Sequence, residues 1–467
     1  MVRLPRLHVL ALLLLGGAAL EAQQSQLGAD FEHEREDFSQ SCAGSFFKAL
    51  AGCAQDLFTD HPLHIGMGSL APGNGFGAGP AFVAHHTPNE RWRLSWSADG
   101  VAAANASWRA GVYMKAIYIP RIHITAVQPG ATPAAPELHK TNLVVEYPVI
   151  NVYAQATSLD TLAVYGLGPA STTLGQAAYG MRESVTGANA IWPLVPRWKM
   201  SLFGEVNGRF VSLRTNPGGS TPAVDEIYTA ATLPGLASQP GVLQVGTGVR
   251  VQPALFADHL QLNYALTVQQ FAAPGSNESF TRFTADLGHE FPLYGKVLPF
   301  QPRAFNGPNE CAANLGGRCP AITRDRWGSF GLRLLISESF VPSGNVVPFY
   351  YQPTLGGSDI NGNQWLGSYR DYRFRAPNLM VARASFEHSI WGPFGFTVLV
   401  DEGQVALQPG ELGFSHLAHS YATGLTLRAG GFPMVSLLFA WGGHESTHTL
   451  TSMDPSLLGG SARPSLF

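Results

Sequence analysis

The stretch SWRAGVYMKAIY, residues 107–118, decides the fold. Trp108, Ala110, Val112, Met114, Ala116 and Tyr118 fall on one face of an extended chain, and Ser107, Arg109, Gly111, Tyr113, Lys115 and Ile117 on the other. A period of two is the mark of a strand with different surroundings on its two sides. The first face is apolar and begins and ends with an aromatic. Ten residues rising ~3.3 Å each, tilted by about 45°, cover roughly the 25 Å apolar band of a membrane barrel, with an aromatic at each rim. The second face carries full charges, which a wet lumen permits and a dry core does not.

The pattern recurs in both directions. Trp92, Leu94, Trp96 and Ala98 alternate with Arg91, Arg93, Ser95 and Ser97. Leu260, Leu262, Tyr264, Leu266 and Val268 alternate with Gln261, Asn263, Ala265, Thr267 and Gln269. Phe330, Leu332, Leu334 and Ile336 alternate with Ser329, Gly331, Arg333 and Ser337, Leu335 being the exception. A soluble β-protein also alternates, but its strands average about five or six residues, and several of these are longer. Loop-like stretches rich in Gly, Pro, Asn and Ser punctuate them at 128–136, 215–224, 304–320 and 356–363. Only 13% of the 467 residues are charged, against about a quarter in ordinary proteins. After the N-terminus no stretch approaches the ~18–20 apolar residues of a membrane helix. The net charge of -3 gives no basic footprint, so nucleic acid is not an expected partner. The expected fold is all-β, a transmembrane antiparallel β-barrel over residues 62–467, with outer-membrane lipids around it.

Residues 1–22 read as a signal peptide. Arg3 and Arg6 form a positive start, His8 to Leu15 an apolar core too short to span, and Gly16, Gly17, Ala18 and Ala19 a small-residue site, with cleavage near Ala19 or Ala22. Residues 23–61 differ from the rest. They are dense in charge from Asp30 to Asp37 and helical in pattern from Ser45 to Phe58 (Phe46, Phe47, Leu50, Leu57). This segment is too short for its own core and is expected to plug the lumen or lie at its periplasmic mouth. The cysteines form two close pairs, Cys42/Cys53 and Cys311/Cys319, and disulfides are the default in an exported chain. Neither pair has metal-knuckle spacing. One straight helix would hold Cys42 and Cys53 ~16 Å apart, beyond the ~7 Å a disulfide allows. Either the helix breaks near Gly44 or Gly52, or that pair is not bonded.

Several motifs resemble chemistry without its context. His444-Glu445-Ser446-Thr447-His448 matches H-E-x-x-H, but zinc chemistry needs it on a helix. After Trp441-Gly442-Gly443 and before Thr449 and Thr451, it reads as a turn between strands. His416/His419 and His85/His86 lack a third ligand at useful spacing and read as loop histidines. Gly73, Gly75, Gly77 and Gly79 alternate without the order of a dinucleotide loop, and read as one small-residue strand face. No nucleophile elbow or Walker loop is present. No catalytic residue, metal or cofactor is expected, and the chain is not read as an enzyme.

The segment Trp365-Leu366-Gly367-Ser368-Tyr369-Arg370-Asp371-Tyr372-Arg373-Phe374-Arg375, followed by Pro377-Asn378, is more specific. With Trp391-Gly392-Pro393-Phe394-Gly395 and Val400-Asp401-Glu402-Gly403-Gln404-Val405, it resembles the barrel of the bacterial surface antigen superfamily. That group includes BamA/TamA-type outer-membrane assembly factors and two-partner secretion transporters. Tyr165-Gly166-Leu167-Gly168-Pro169-Ala170-Ser171 resembles another signature of the group. The resemblance spans about residues 62–453 and implies sixteen strands in the cell outer membrane. The implied function is outer-membrane protein insertion, polypeptide translocation or passive transport, with polypeptides as partners. The alternative is a structural or surface-exposed barrel without a transport role.

The resemblance also implies a long outer loop folded into the lumen, whose motif arginine meets an acidic residue on an inward strand face. Leu366, Gly367, Ser368 and Tyr369 align with the loop motif, and Asp401 and Gly403 with the strand. The family's arginine is Gly367 here, and its glycine is Ser368. Alternation places Phe396, Val398 and Val400 on one face and Thr397, Leu399, Asp401 and Gly403 on the other. A carboxylate under a loop needs a cation or several donors. Arg370 is the expected partner of Asp401, with Arg373 next and Arg375 further along; a hydrated Asp401 is the alternative. Cys311 and Cys319 are expected to be bonded across a loop that Gly316 and Gly317 let close. Thiol titration of the unfolded, unreduced protein checks this: at most two free thiols are expected, and two would remove one pair.

Overall fold

The computed structural model describes residues 63–119, 147–256, 259–300, 322–391, 394–429, 432–443, 445 and 448–453. The signal peptide, the 23–61 segment with its expected helix, all four cysteines and the 128–136 and 304–320 stretches lie outside them. Sixteen wall strands run along the described residues. They are β1 (Leu63–Ser69), β2 (Phe76–Asn89), β3 (Trp92–Ala102), β4 (Trp108–Tyr118), β5 (Val149–Val164), β6 (Ala177–Val195), β7 (Met200–Arg214) and β8 (Val242–Val251). There follow β9 (Leu260–Ala272), β10 (Phe280–Phe300), β11 (Ile322–Phe340), β12 (Asn378–Trp391), β13 (Phe394–Ala406), β14 (Ala418–Ala429), β15 (Phe432–Trp441) and β16 (His448–Met453).

Each strand pairs antiparallel with its neighbour in sequence, from β1 with β2 to β15 with β16. The expected sixteen-stranded, all-antiparallel architecture is therefore the observed one. Closure is not: among the described residues no register joins β16 to β1. These two are the short members of the sheet, with 7 residues in β1 and 6 in β16, and short strands offer few ladder bonds. The sheet nonetheless curls. The β11–β12 loop touches the β1–β2 turn through Tyr372 and Pro72, the β5–β6 loop through Arg373 and Ser171, and the β15–β16 turn through Arg373 and Glu445.

The two faces of the sheet follow the alternation. Outward, Val112, Val152, Val206, Phe210, Leu243, Leu266, Val268, Leu332, Leu425, Leu437 and Phe439 are exposed over strands from β4 to β15. Inward, charges are matched across strands. Arg109 meets Asp99 at 3.1 Å, and Arg209 meets Glu183 at 2.8 Å and donates to Gln244 Oε1 at 2.6 Å. The apolar core lies where loops pack onto the wall at one end. There Leu159, Leu162, Tyr179, Phe271 and Phe280 surround Phe349, Tyr350 and Tyr351 of the β11–β12 loop. The Phe271 and Phe280 rings stack at 4.3 Å.

Two readings of small motifs are corrected. Gly73 and Gly75 do not share a strand face with Gly77 and Gly79. They form the β1–β2 turn with φ of 77° and 76°, a left-handed backbone that glycine adopts without steric cost. His85 and His86 lie within β2 and His419 within β14; of the four only His416 is in a loop. At Gly79 the strands approach so closely that a Cβ would sit 2.0 Å from the Gly100 carbonyl oxygen, whereas at Gly68 it would meet nothing within 4 Å. Gly79→Ala is therefore expected to destabilise the folded barrel by about 1–3 kcal/mol, and Gly68→Ala by much less. Denaturant titration of the barrel in vesicles checks the difference.

Candidate functional site

The β11–β12 loop, residues 341–377, enters the lumen and doubles back. Thr354–Leu355 pairs with Phe374–Arg375 as a two-residue ladder, so residues between them form a tip. Gly356, with φ of 102°, makes the turn into it; a Cβ there would meet Arg373 Cβ at 2.6 Å. Leu366 and Tyr372 hold φ of 51° and 60°, which side-chain-bearing residues rarely adopt. Both are buried, so packing over-determines the strained backbone.

Leu366 sits above Asp401. Its N–H donates to Asp401 Oδ2 at 2.9 Å, and the Ser368 N–H donates to Ser420 Oγ at 2.9 Å. Asp401 is 3% exposed and faces the lumen, as its alternation predicts. Gly403, two residues on, lets Leu355 of the loop approach: a Cβ there would lie 3.0 Å from Leu355 Cδ1. Gly367, Ser368 and Tyr369 are buried with Leu366, and the Tyr369 ring packs on Phe374 at 5.1 Å.

The cation that meets Asp401 is Arg383 of β12. Its Nε and Nη2 fork onto Oδ1 and Oδ2 at 2.6 and 2.7 Å, and Nη2 also donates to the Gln364 carbonyl. The guanidinium lies 4.4 Å from the centre of the Trp365 ring. Arg333 of β11 lies 4.9 Å from the same ring and forks onto Asp286 of β10 at 2.8 and 2.6 Å. Two ion pairs thus flank one tryptophan of the loop tip, and four adjacent strands are tied to it.

The expected pairing of Asp401 with Arg370 or Arg373 is overturned. Arg370 reaches Gln176 at 3.0 Å, and its N–H donates to Glu445 at 3.2 Å. Arg373 pairs with Glu445 and donates to Ser171 Oγ and O at 3.0 and 2.8 Å. Arg375 donates to the Phe349 carbonyl at 2.7 Å and to Tyr179. With Leu366 over Asp401, the chain beyond it turns toward the β5–β6 loop and the β15–β16 turn, carrying these arginines away. They clasp the Tyr165–Ser171 signature, whose Gly168 N–H donates to the Arg375 carbonyl at 2.7 Å. Glu445 of the H-E-x-x-H stretch is committed to this clasp. Burial pushes the Asp371 and Asp359 carboxyls of the loop above their usual range, against donors from Ser358 and from Asn363 and Asn361.

The sequence offers a partial signal for Arg383. The connection of β12 to β13 is short, and Trp391 faces Phe394. An unbroken ladder from that pair would set Ala384 opposite Asp401. A bulge between Ser389 and Trp391 shifts the register by one and brings Arg383 there instead.

No protein-family model and no curated protein matches the sequence. Among solved structures the chain is similar to BamA from Haemophilus ducreyi lacking POTRA domains 1–3. The identity is 10% and the TM-score 0.47, covering 84% of this chain and 70% of that one. It is also similar to CdiB from Escherichia coli (10% identity, TM-score 0.46) and CdiB from Acinetobacter baumannii (9%, 0.44). Each match covers 84% of this chain, which spans 62% and 59% of those two proteins.

Removing one member of a buried, hydrogen-bonded pair costs about 3–5 kcal/mol. In double-mutant cycles on folding stability, Arg383→Ala with Asp401→Ala is expected to show coupling above about 1 kcal/mol, and Arg370→Ala with Asp401→Ala to be additive. The reverse pattern would restore the arginine of the loop as the partner.

Proposed function

We propose that the chain is an integral outer-membrane β-barrel that handles polypeptides at the membrane, by insertion or translocation, and that its inward loop is the element held or released as it works. The observation that carries this reading is the loop tip locked over Asp401 and Arg383. A constitutive pore works with a clear lumen, whereas this lumen is stoppered by a segment fixed at both of its sides. The membrane part of the reading is supported by the outward rows of exposed Val, Leu and Phe, which form a band far larger than isolated surface apolar residues make. No catalytic step belongs to this reading. Passive transport through the lumen is the second reading, favoured by the cavity of about 490 Å³ beneath the loop.

The protein is expected to stay with membranes through carbonate extraction, and its depletion to lower the levels of other outer-membrane proteins. In planar bilayers the native barrel is expected to conduct little and Arg383→Ala to conduct more. Release by carbonate would remove the membrane assignment. Unchanged outer-membrane protein levels together with high native conductance would move the function to passive transport.

A further inference from the structure

The cavity under the loop is lined by wall residues from β5 to β12 and by the loop itself. Five charged side chains border it: Glu205, Arg250, Asp286, Arg333 and Asp359. Three are already neutralised or capped. Asp286 and Arg333 fork onto one another, and Asp359 accepts the N–H groups of Asn361 and Asn363 and the Asn363 side-chain amide. Among the described residues neither Glu205 nor Arg250 forms an ion pair. Glu205 takes the amides of Gln244 and Gln269 on a single oxygen, Oε1, at 2.9 and 2.7 Å.

These two charges are set apart by the sheet itself. Ser201 faces Arg250 and Glu205 faces Gly246 in the β7–β8 register. Arg250 and Glu205 thus stand four strand positions apart, ~13 Å along the wall. Phe203 lies between them on the same inward row. On the next strands of the same wall stand Thr267 and Gln269 of β9, Thr284 of β10 and Ser337 of β11, a row of hydroxyls beside an amide that is given to Glu205.

We propose that this cavity is a binding site for a short peptide with free termini, its carboxylate on Arg250 and its ammonium on Glu205. An extended tripeptide covers ~10 Å, and the long arginine side chain closes the remaining gap. Its backbone amides would meet the hydroxyls of Thr267 and Thr284, and a cavity of about 490 Å³ is of ligand size. A ligand of single charge would leave Arg250 or Glu205 without an opposite charge. The inference does not depend on insertion activity, because it is read on the purified barrel.

The test is calorimetric titration of the full, folded protein in detergent with tri-alanine and with its N-acetylated, C-amidated form. Tri-alanine is expected to saturate one site, with the capped peptide at least about tenfold weaker, a loss of order one charged contact. Arg250→Gln should erase the preference for a free carboxylate, and Glu205→Gln that for a free ammonium. Ala265→Trp, which fills the cavity from β9, should abolish binding while leaving the heat-modifiable gel mobility of the folded barrel. Absence of saturation up to ~10 mM, equal affinity for both peptides, or full binding by Ala265→Trp would each overturn the proposal.

Discussion

A carboxylate buried to within a few per cent of full enclosure sets the terms for the rest of this molecule. Asp401 lies under a loop that keeps water from it, so its charge must be met by a cation and by N–H donors held at fixed distances. Arg383 supplies the first and Leu366 the second. The demand propagates. Arg383 can stand opposite only because the β12–β13 ladder slips by one at its bulge. The Leu366 N–H can point down only because its backbone takes a left-handed turn. Trp365 is then drawn between two guanidinium groups, each contact contributing about 0.5–2 kcal/mol depending on desolvation.

The wall has two unlike faces. Outside stand rows of exposed Val, Leu and Phe. Inside, charges recur with a neighbour of opposite sign on the adjacent strand: Asp99 with Arg109, Glu183 with Arg209, Asp286 with Arg333, Asp401 with Arg383. Such local matching is the cheapest way to hold charge in a partly enclosed lumen, because each pair retains its own attraction in low dielectric. The exposed pairs, Arg214 with Asp160 and Arg333 with Asp286, contribute less than the buried ones.

Strand faces were legible in the sequence because each was fixed by residues two apart. Arg109 and Tyr113 inward with Val112 outward, and Asp401 inward with Val400 outward, needed nothing beyond alternation. The loop that folds inward was legible only through resemblance, since nothing in Trp365–Arg375 alone says which way a loop turns. The partner of Asp401 was not legible. Choosing it by distance along the chain favoured Arg370, whereas the contact is made across strands and depends on a one-residue bulge that no local pattern announces. The glycine run failed for a related reason: alternation in sequence describes a face only where the backbone is extended, and at Gly73 and Gly75 it is not.

The seating of the loop has a temporal side. Tyr372 bonds to Pro72 across 300 residues of chain, Arg373 to Ser171 across 202, and Arg370 to Gln176 across 194. Hairpins between neighbouring strands, by contrast, close short stretches. Contacts of such separation form late, after the chain between them has been ordered. The wall must therefore exist before its stopper can dock, and each newly made molecule passes through a stage with an unobstructed interior. How long that stage lasts is governed by the docking of residues 356–373, so the last step of folding belongs to the one loop whose partners lie farthest away along the chain.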